Sequence, residues 1–284
     1  MSDTFAKIFG NACSTEEGGV YRMTSDLTDL LAVARAAVAE GSELLATAER
    51  GAVHVKSDRD FVTDLDRRIE DHVREFLGRE TPECGFLGEE SEDQPADPTV
   101  GRVWTLDPID GTSNFIHGLP LCAVSLALLR DGVPVIGVIA APFLDLEYFA
   151  ATDSGAFCND RPIHASKNEK LSTAVVSIGD YATGADAEAK NQRRLAITAQ
   201  LAADVERVRM FGSAALDLVW VADGRTDGCI SLSNKPWDTA GGVAIARESG
   251  AVVVDLTGAP HGFHSTSTIA IAPALAIELL GLVT

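Results

Sequence analysis

Residues 103–115 read VWTLDPIDGTSNF, a run that changes character halfway along. Val103, Trp104 and Leu106 are apolar, as in a buried strand, and the strand then gives way to Asp107 and Asp110 around Pro108 and Ile109. A proline after Asp107 biases that aspartate to an extended conformation and fixes the turn, so the two carboxylates converge beyond the strand end. Gly111 then permits a sharp turn, and Thr112, Ser113 and Asn114 supply capping oxygens for a short helix. Such an arrangement offers a carboxylate pair to a hard divalent cation and exposed N–H groups to a phosphate. An Asp-Pro turn alone is ordinary. Here the apolar flanks half-bury both carboxylates, where unpaired charge is costly, and something must neutralise them.

Working outward, residues 83–91, ECGFLGEES, form a short apolar strand running into Gly88, Glu89 and Glu90. If this strand neighbours the one carrying Asp107, it delivers Glu89 to the edge of the core. Residues 91–101 between them are a polar, proline-bearing loop. Downstream, 121–151 hold two apolar runs around Asp131-Gly132, a hairpin signal, and a third run at 147–150. These runs have no solvated face, so an antiparallel sheet covered by helices on both sides is expected. Upstream, Ser25 or Asp26 can cap a helix carrying Leu27, Leu30, Leu31, Ala34 and Val38. A second helix places Leu65, Ile69, Val73, Phe76 and Leu77 on one face, with Thr63, Asp64 and Asp66 at its start, ordinary capping and dipole residues in isolation.

The composition shifts near 166–172. Beyond it a strand is expected at 171–178, a loop at 181–190, a helix at 191–204 and a short strand at 205–210. A helix capped by Ser213 and ended by Gly224, a strand at 228–233, and strands at 252–254 and 269–272 follow, with a last helix from Pro273. Asp238 precedes a small-residue helix, 239–248, whose Ala240, Gly241 and Gly242 let another element approach closely. The organisation expected is therefore a mobile tail at 1–24, an α+β half at 25–165 with most of the acidic site, and an α/β half at 166–284 that contributes Asp238.

The chain has 284 residues, enough for a sizeable core, and its net charge of -19 argues against binding nucleic acid or an anionic membrane. An anionic substrate would need cations as intermediaries. The five cysteines are widely spaced with no zinc pattern, as expected of reduced thiols. No apolar run reaches membrane-spanning length and the first residues lack a leader's basic start and apolar centre, so a cytoplasmic protein is expected.

Together GEES at 88–91, DPIDGTSNF at 107–115 and WDTAGG at 237–242, with KSDRDFVTDLD at 56–66 upstream, resemble the inositol monophosphatase family of metal-dependent, lithium-sensitive phosphatases. The resemblance covers nearly all of 25–283. It implies a layered αβαβα sandwich, of the type shared with fructose-1,6-bisphosphatase, and a homodimer. It further implies that Glu89, Asp107 and the Ile109 carbonyl hold a first magnesium ion with Thr112 beside it. Asp107, Asp110 and Asp238 would hold a second, and a third, looser ion would lie near Glu89. By the same resemblance Glu89 and Thr112 attend the attacking water, Thr63 and Asp66 polarise the threonine hydroxyl or the water, and the N–H groups of Gly111 and Thr112, with Ser113, grip phosphate. All-oxygen ligation is what magnesium prefers.

The alcohol side is implied to consist of Asp110, the segment Gly212, Ser213 and Ala214, and residues ahead of Asp238. Ser231 stands where the animal enzymes carry a glutamate that binds ring hydroxyls, and a serine binds a diol less strongly than a carboxylate. The expected reaction is hydrolysis of a small polyol or sugar phosphate, myo-inositol 1-phosphate first. Histidinol phosphate, fructose 1,6-bisphosphate and 3'-phosphoadenosine 5'-phosphate are the alternatives. A different class, a non-catalytic interaction protein on the same fold, would be expected to have lost a ligand, and Glu89, Asp107, Asp110 and Asp238 are all present.

Overall fold

The computed structural model describes residues 17–48, 51–57, 60–91, 96–184 and 186–283. The expected tail over 1–16 and positions 92–95 of the expected loop lie outside them. Helix α1 (Glu17–Thr47) is followed by a hairpin of β1 (Val53–Ser57) and β2 (Asp60–Thr63), and then by α2 (Asp64–Glu80). α1 starts upstream of the Ser25/Asp26 cap suggested by the sequence, so 17–24 are helical, and Asp26 pairs with Arg102 instead of capping. Ala34, Val38 and Leu45 of α1 join Leu65, Ile69, Val73 and Leu77 of α2 in one apolar layer.

That layer lies on a seven-stranded sheet. Its strands are β3 (Gly85–Gly88), β4 (Arg102–Asp110), β5 (Ala123–Arg130), β6 (Val133–Ala141), β7 (Leu146–Ala151), β8 (Ala156–Cys158) and β9 (Arg161–Ile163), in that spatial order. β3 and β4 are parallel, as Glu89's delivery requires, and the remaining pairs are an antiparallel meander. β5 is buried along nearly its whole length, which is why its sequence shows no polar alternation. The short α3 (Thr112–His117) links β4 to β5.

Further along, β10 (Val175–Ile178), α4 (Ala187–Asp204), β11 (Arg207–Arg209), α5 (Ala214–Ala222), β12 (Gly228–Ser231), α6 (Pro236–Glu248), β13 (Val252–Val254), β14 (Thr268–Ile271) and α7 (Ala276–Val283) complete the chain. The five strands form a mixed sheet in the order β11-β10-β12-β14-β13. Residues 171–173, expected as strand, are a 3-10 turn, and α4 begins at Ala187 within the expected loop.

α5 and α6 fill the space between the two sheets. Leu216, Val219, Val243 and Ile245 share one apolar cluster with Ile139 and Tyr148 of the larger sheet and Cys229 and Ala270 of the smaller. α4 and α7 cover the outer face of the smaller sheet with Ile197, Leu201, Leu279 and Val283. Five layers result, helix, sheet, helix, sheet, helix, matching the expected sandwich. Each large apolar side chain buried this way contributes roughly 1.5–3 kcal/mol. Among the described residues no helix is long and apolar enough to cross a membrane.

Candidate active site

β4 does not stop at Leu106; it continues through the proline to Asp110. Asp107 faces Ser125 and Asp110 faces Ala123 on β5, so β4 spends one residue more than its partner over this interval. Such a bulge re-aims side chains and here brings the two carboxylates within electrostatic reach of each other. Asp107 accepts the Ile109 N–H at 3.0 Å, which fixes one of its oxygens.

Three elements then meet. Glu89 follows β3, and its N–H donates to Leu106 O at 3.1 Å. Asp238 lies in the first turn of α6, not ahead of it as the sequence suggested, because Pro236 starts the helix and Lys235 is its N-cap. Carboxylate oxygens of Glu89, Asp107 and Asp238 lie within 4.8 Å of one another. Burial, then the charges of Glu89 and Asp110, hold the Asp107 carboxyl well above the usual carboxylate range. Burial pushes Asp238 up to about 7, against the attraction of Lys235 and with the repulsion of Asp110. Acids held this close in a buried place are costly when ionised unless a cation lies among them, and the all-oxygen donor set suits a hard divalent one.

Asp110 lies beside this trio, close enough to repel Asp107 and Asp238, and has hydrogen-bond partners of its own. It accepts from Ser213 Oγ, from Ala214 N at 3.2 Å and from Ala215 N at 3.0 Å, all at the start of α5. Burial raises its pKa to about 7 even though these donors favour the anion. Asn114 ties the same segment down, its Nδ2 donating to Leu121 O at 2.8 Å and Phe211 O at 2.7 Å. Gly212 has φ 71 beside that amide, a conformation L side chains rarely adopt.

Thr63 and Asp66 form a capping box at the start of α2, in which Thr63 Oγ1 donates to Asp66 Oδ2 at 2.5 Å and Thr63 N does so at 2.9 Å. The other carboxylate oxygen, Asp66 Oδ1, is within hydrogen-bond reach of Thr112, whose Oγ1 is 3.3 Å from it and 2.9 Å from Ile109 O. The capping carboxylate of Asp66 thus also reaches Thr112, while Asp64 pairs with His54 outside the cluster. The expected side-chain caps on α3 are not formed: its N-cap is Gly111 at φ 86, without a side-chain bond. A Cβ at Gly111 would lie 2.7 Å from Leu121 O and 3.1 Å from Gly212 O, so the turn admits no side chain. Ser113 is exposed, and the Ser231 hydroxyl bonds to Ser233 rather than to any of the carboxylates.

Sequence reasoning missed two groups around Glu89. Lys56 Nζ pairs with Glu89 Oε1 at 3.2 Å and more closely with Glu90. Burial opposes the ammonium, but Glu89 and Glu90 outweigh it and raise its pKa. Glu90 is itself pushed up to about 7 by burial. Glu70 is buried behind the same turn and accepts the Glu90 N–H at 2.8 Å. Its signal was available: it lies one turn beyond Asp66 on α2. A cavity of about 510 Å³ opens beside Glu89, with His54, Lys56, Arg67, Lys235 and Trp237 on its walls. Cations thus gather at one mouth of an otherwise acidic protein.

The sequence model of the inositol monophosphatase family matches residues 26–282. An inositol-1-monophosphatase, ImpA, of Mycolicibacterium smegmatis is 36% identical over 228 residues, covering 80% of this chain and 82% of that one. A fructose-1,6-bisphosphatase/inositol-1-monophosphatase of Thermotoga maritima is 37% identical over 206 residues, covering 70% and 73%. Among solved structures, the extragenic suppressor protein suhB of Bartonella henselae superposes with a TM-score of 0.82 at 33% identity, over 90% of this chain and 98% of that one.

Proposed function

Because the chain belongs to the inositol monophosphatase family, whose members are metal-dependent phosphatases, we propose that it is a magnesium-dependent phosphomonoesterase acting on a small polyol phosphate, myo-inositol 1-phosphate foremost. The observation that carries this reading is the meeting of Glu89, Asp107 and Asp238 from three separate elements.

Glu89, Asp107 and the Ile109 carbonyl would hold one ion, Asp107, Asp110 and Asp238 would hold a second, and a third would be held loosely near Glu89. When bound, these ions neutralise the carboxylates, make a nearby water more acidic and draw charge from the leaving oxygen. The remaining work belongs to the protein. Thr112, its hydroxyl between Ile109 O and Asp66, orients the water, and the Thr63–Asp66 pair keeps that hydroxyl polarised. N–H groups of Gly111 and Thr112, with Ser113, hold the phosphate oxygens. Asp110, Gly212, Ser213, Ala214, Ser231 and Asp238 face the alcohol. As attack proceeds in line, charge moves from the water oxygen to the leaving oxygen, which takes up a proton on release.

Phosphate release from inositol 1-phosphate, with and without magnesium, tests the reading. Turnover that needs magnesium supports it; no turnover of any small phosphomonoester ends it. A panel adding fructose 1,6-bisphosphate, histidinol phosphate and 3'-phosphoadenosine 5'-phosphate ranks substrates. Ser231, lacking a carboxylate, favours weaker diol binding, and the Thermotoga relative is named for two substrates. Faster turnover of the fructose bisphosphate would replace inositol phosphate as the preferred substrate.

A further inference from the structure

We propose that Glu70 is a positioning residue for the divalent-cation site, holding Glu89 from behind without touching cation or substrate. The inference rests on the reading above that Glu89 holds a cation. Glu70 is 2% exposed, on the face of α2 turned to the end of β3. Its Oε2 accepts the N–H of Glu90 at 2.8 Å, and its Oε1 accepts the Ser91 hydroxyl at 2.6 Å and the Arg74 guanidinium. Arg74 also donates to Ser91 and lies over the Phe86 ring, 5.0 Å from its centre, so the carboxylate is fixed from its own helix and from β3.

The geometry around Glu89 gives this network its consequence. Two peptide groups flank the Glu89 Cα: one donates to Leu106 O at 3.1 Å, the other to Glu70. With both planes held, the Glu89 side chain leaves the backbone in one direction, towards Asp107 and Asp238. Gly88 completes the device, since a Cβ there would lie 2.2 Å from Glu70 Oε2. Glycine at 88 therefore leaves room for the buried carboxylate, and its own backbone angles do not call for one. A group that orients a metal ligand typically contributes a factor of about 10–100 to metal affinity.

The test is direct Mn2+ binding to the full chain, followed by electron paramagnetic resonance, in wild type, Glu70→Gln, Gly88→Ala, Ser91→Ala and Glu89→Gln, beside kcat at saturating magnesium and the melting temperature of the metal-free protein. In Glu70→Gln the amide nitrogen would face a donor, so the turn loosens; Mn2+ affinity should fall about 10–100-fold while kcat at saturating metal stays within about threefold. Gly88→Ala should do the same, because its Cβ displaces the Glu70 carboxylate, and in the double variant the two losses should overlap instead of multiplying. If Glu70→Gln melts earlier yet binds Mn2+ as wild type does, Glu70 is a packing residue only and the proposal falls. Should Glu70→Gln fail to fold, Ser91→Ala decides: a severalfold loss of affinity supports the role, and none overturns it. Unchanged Mn2+ binding in Glu89→Gln would instead overturn the underlying assignment of Glu89.

Discussion

Gly137 of β6 lies against the main-chain oxygen of Gly241 on α6, so closely that a Cβ at 137 would stand 2.2 Å from it. α6 is seated on the sheet by contact between backbones, and its first turn carries Asp238. The distance between the helix and the sheet therefore sets the distance between Asp238 and the carboxylate of β4. Gly241 contributes from the other side, where a Cβ would lie 3.0 Å from Ser125 Oγ.

Gly137→Ala should accordingly damage site and stability together. Lifting α6 by an ångström costs roughly 1–3 kcal/mol as an overpacked core. It also draws Asp238 from Asp107, so magnesium affinity should fall at least about tenfold. Thermal melting with and without magnesium measures both effects; an unchanged magnesium-induced shift in melting would show that α6 is not seated as described.

Asp107→Asn separates stability from activity. Its Oδ1 can keep the Ile109 N–H, while the new amide nitrogen donates towards Glu89 and Asp238 in place of a repelling oxygen. The metal-free protein should become more stable by about 1–2 kcal/mol. Phosphatase activity should drop at least about 100-fold, and magnesium should no longer raise the melting temperature. A metal-free variant less stable than wild type would contradict the repulsion inferred here.

The pH dependence has a definite sign. Asp110 and Asp238 are raised to about 7 by burial, whereas carboxyls of the unfolded chain titrate near ~4. Between those values the folded, metal-free protein keeps protons that the unfolded chain has released. The stability these groups contribute is thus fully present below the unfolded pKa and is lost as pH rises through about 7. The metal-free melting temperature should fall between pH 5 and pH 8, on the order of several degrees, and saturating magnesium should remove most of that fall. Magnesium affinity should rise over the same interval, because protons compete for the same oxygens. Calorimetry across the range checks both.

Thr112→Ala tests the water-orienting hydroxyl. The α3 N-cap is the left-handed Gly111 and receives no side-chain bond, so removing the hydroxyl should leave the fold within about 1 kcal/mol of wild type. The kcat should fall about 100–1,000-fold with little change in magnesium affinity, and Thr112→Ser should recover most of it. Equal losses in the alanine and serine variants would point to the methyl group's packing instead.

The layered fold was legible because its signals are local and strong. β5 and β6 are predominantly apolar and separated by Asp131-Gly132, and α2 repeats its apolar face at helical spacing. The acidic site was legible through motif resemblance, since no periodicity links Glu89 to Asp238 across the intervening chain. What escaped was set by tertiary contact. The resemblance groups Asp110 with 212–214, but that its carboxylate satisfies the start of α5 through Ser213 is nowhere announced in DPIDGT itself. Lys56 and Glu70 find their partners only once β3 places the Glu89 turn beside them, a contact that no local pattern encodes. The start of α6 follows from a local rule: a capping residue such as Asp238 marks where a helix can begin, whereas Pro236 at the first helical position determines where it does.

Asn114 offers the sharpest test of how α3 is tied to the start of α5. Its amide nitrogen donates to Leu121 O, Phe211 O and, at 3.3 Å, Gly212 O, while Gly111 beside it admits no Cβ. Asn114→Ala leaves those carbonyls without their donor and should cost about 1–3 kcal/mol. Asn114→Asp is the more telling change, because an ionised carboxylate would face the same carbonyl oxygens. The deficit of the aspartate variant relative to alanine should vanish at pH 4, where the carboxyl can hold a proton and donate it, and grow towards pH 7. KM for the phosphomonoester should rise in both variants as the 212–214 segment shifts from Asp110. Denaturant melts at the two pH values provide the measurement, and equal stability of the two variants at pH 7 would remove Asn114 as the tie between α3 and the start of α5.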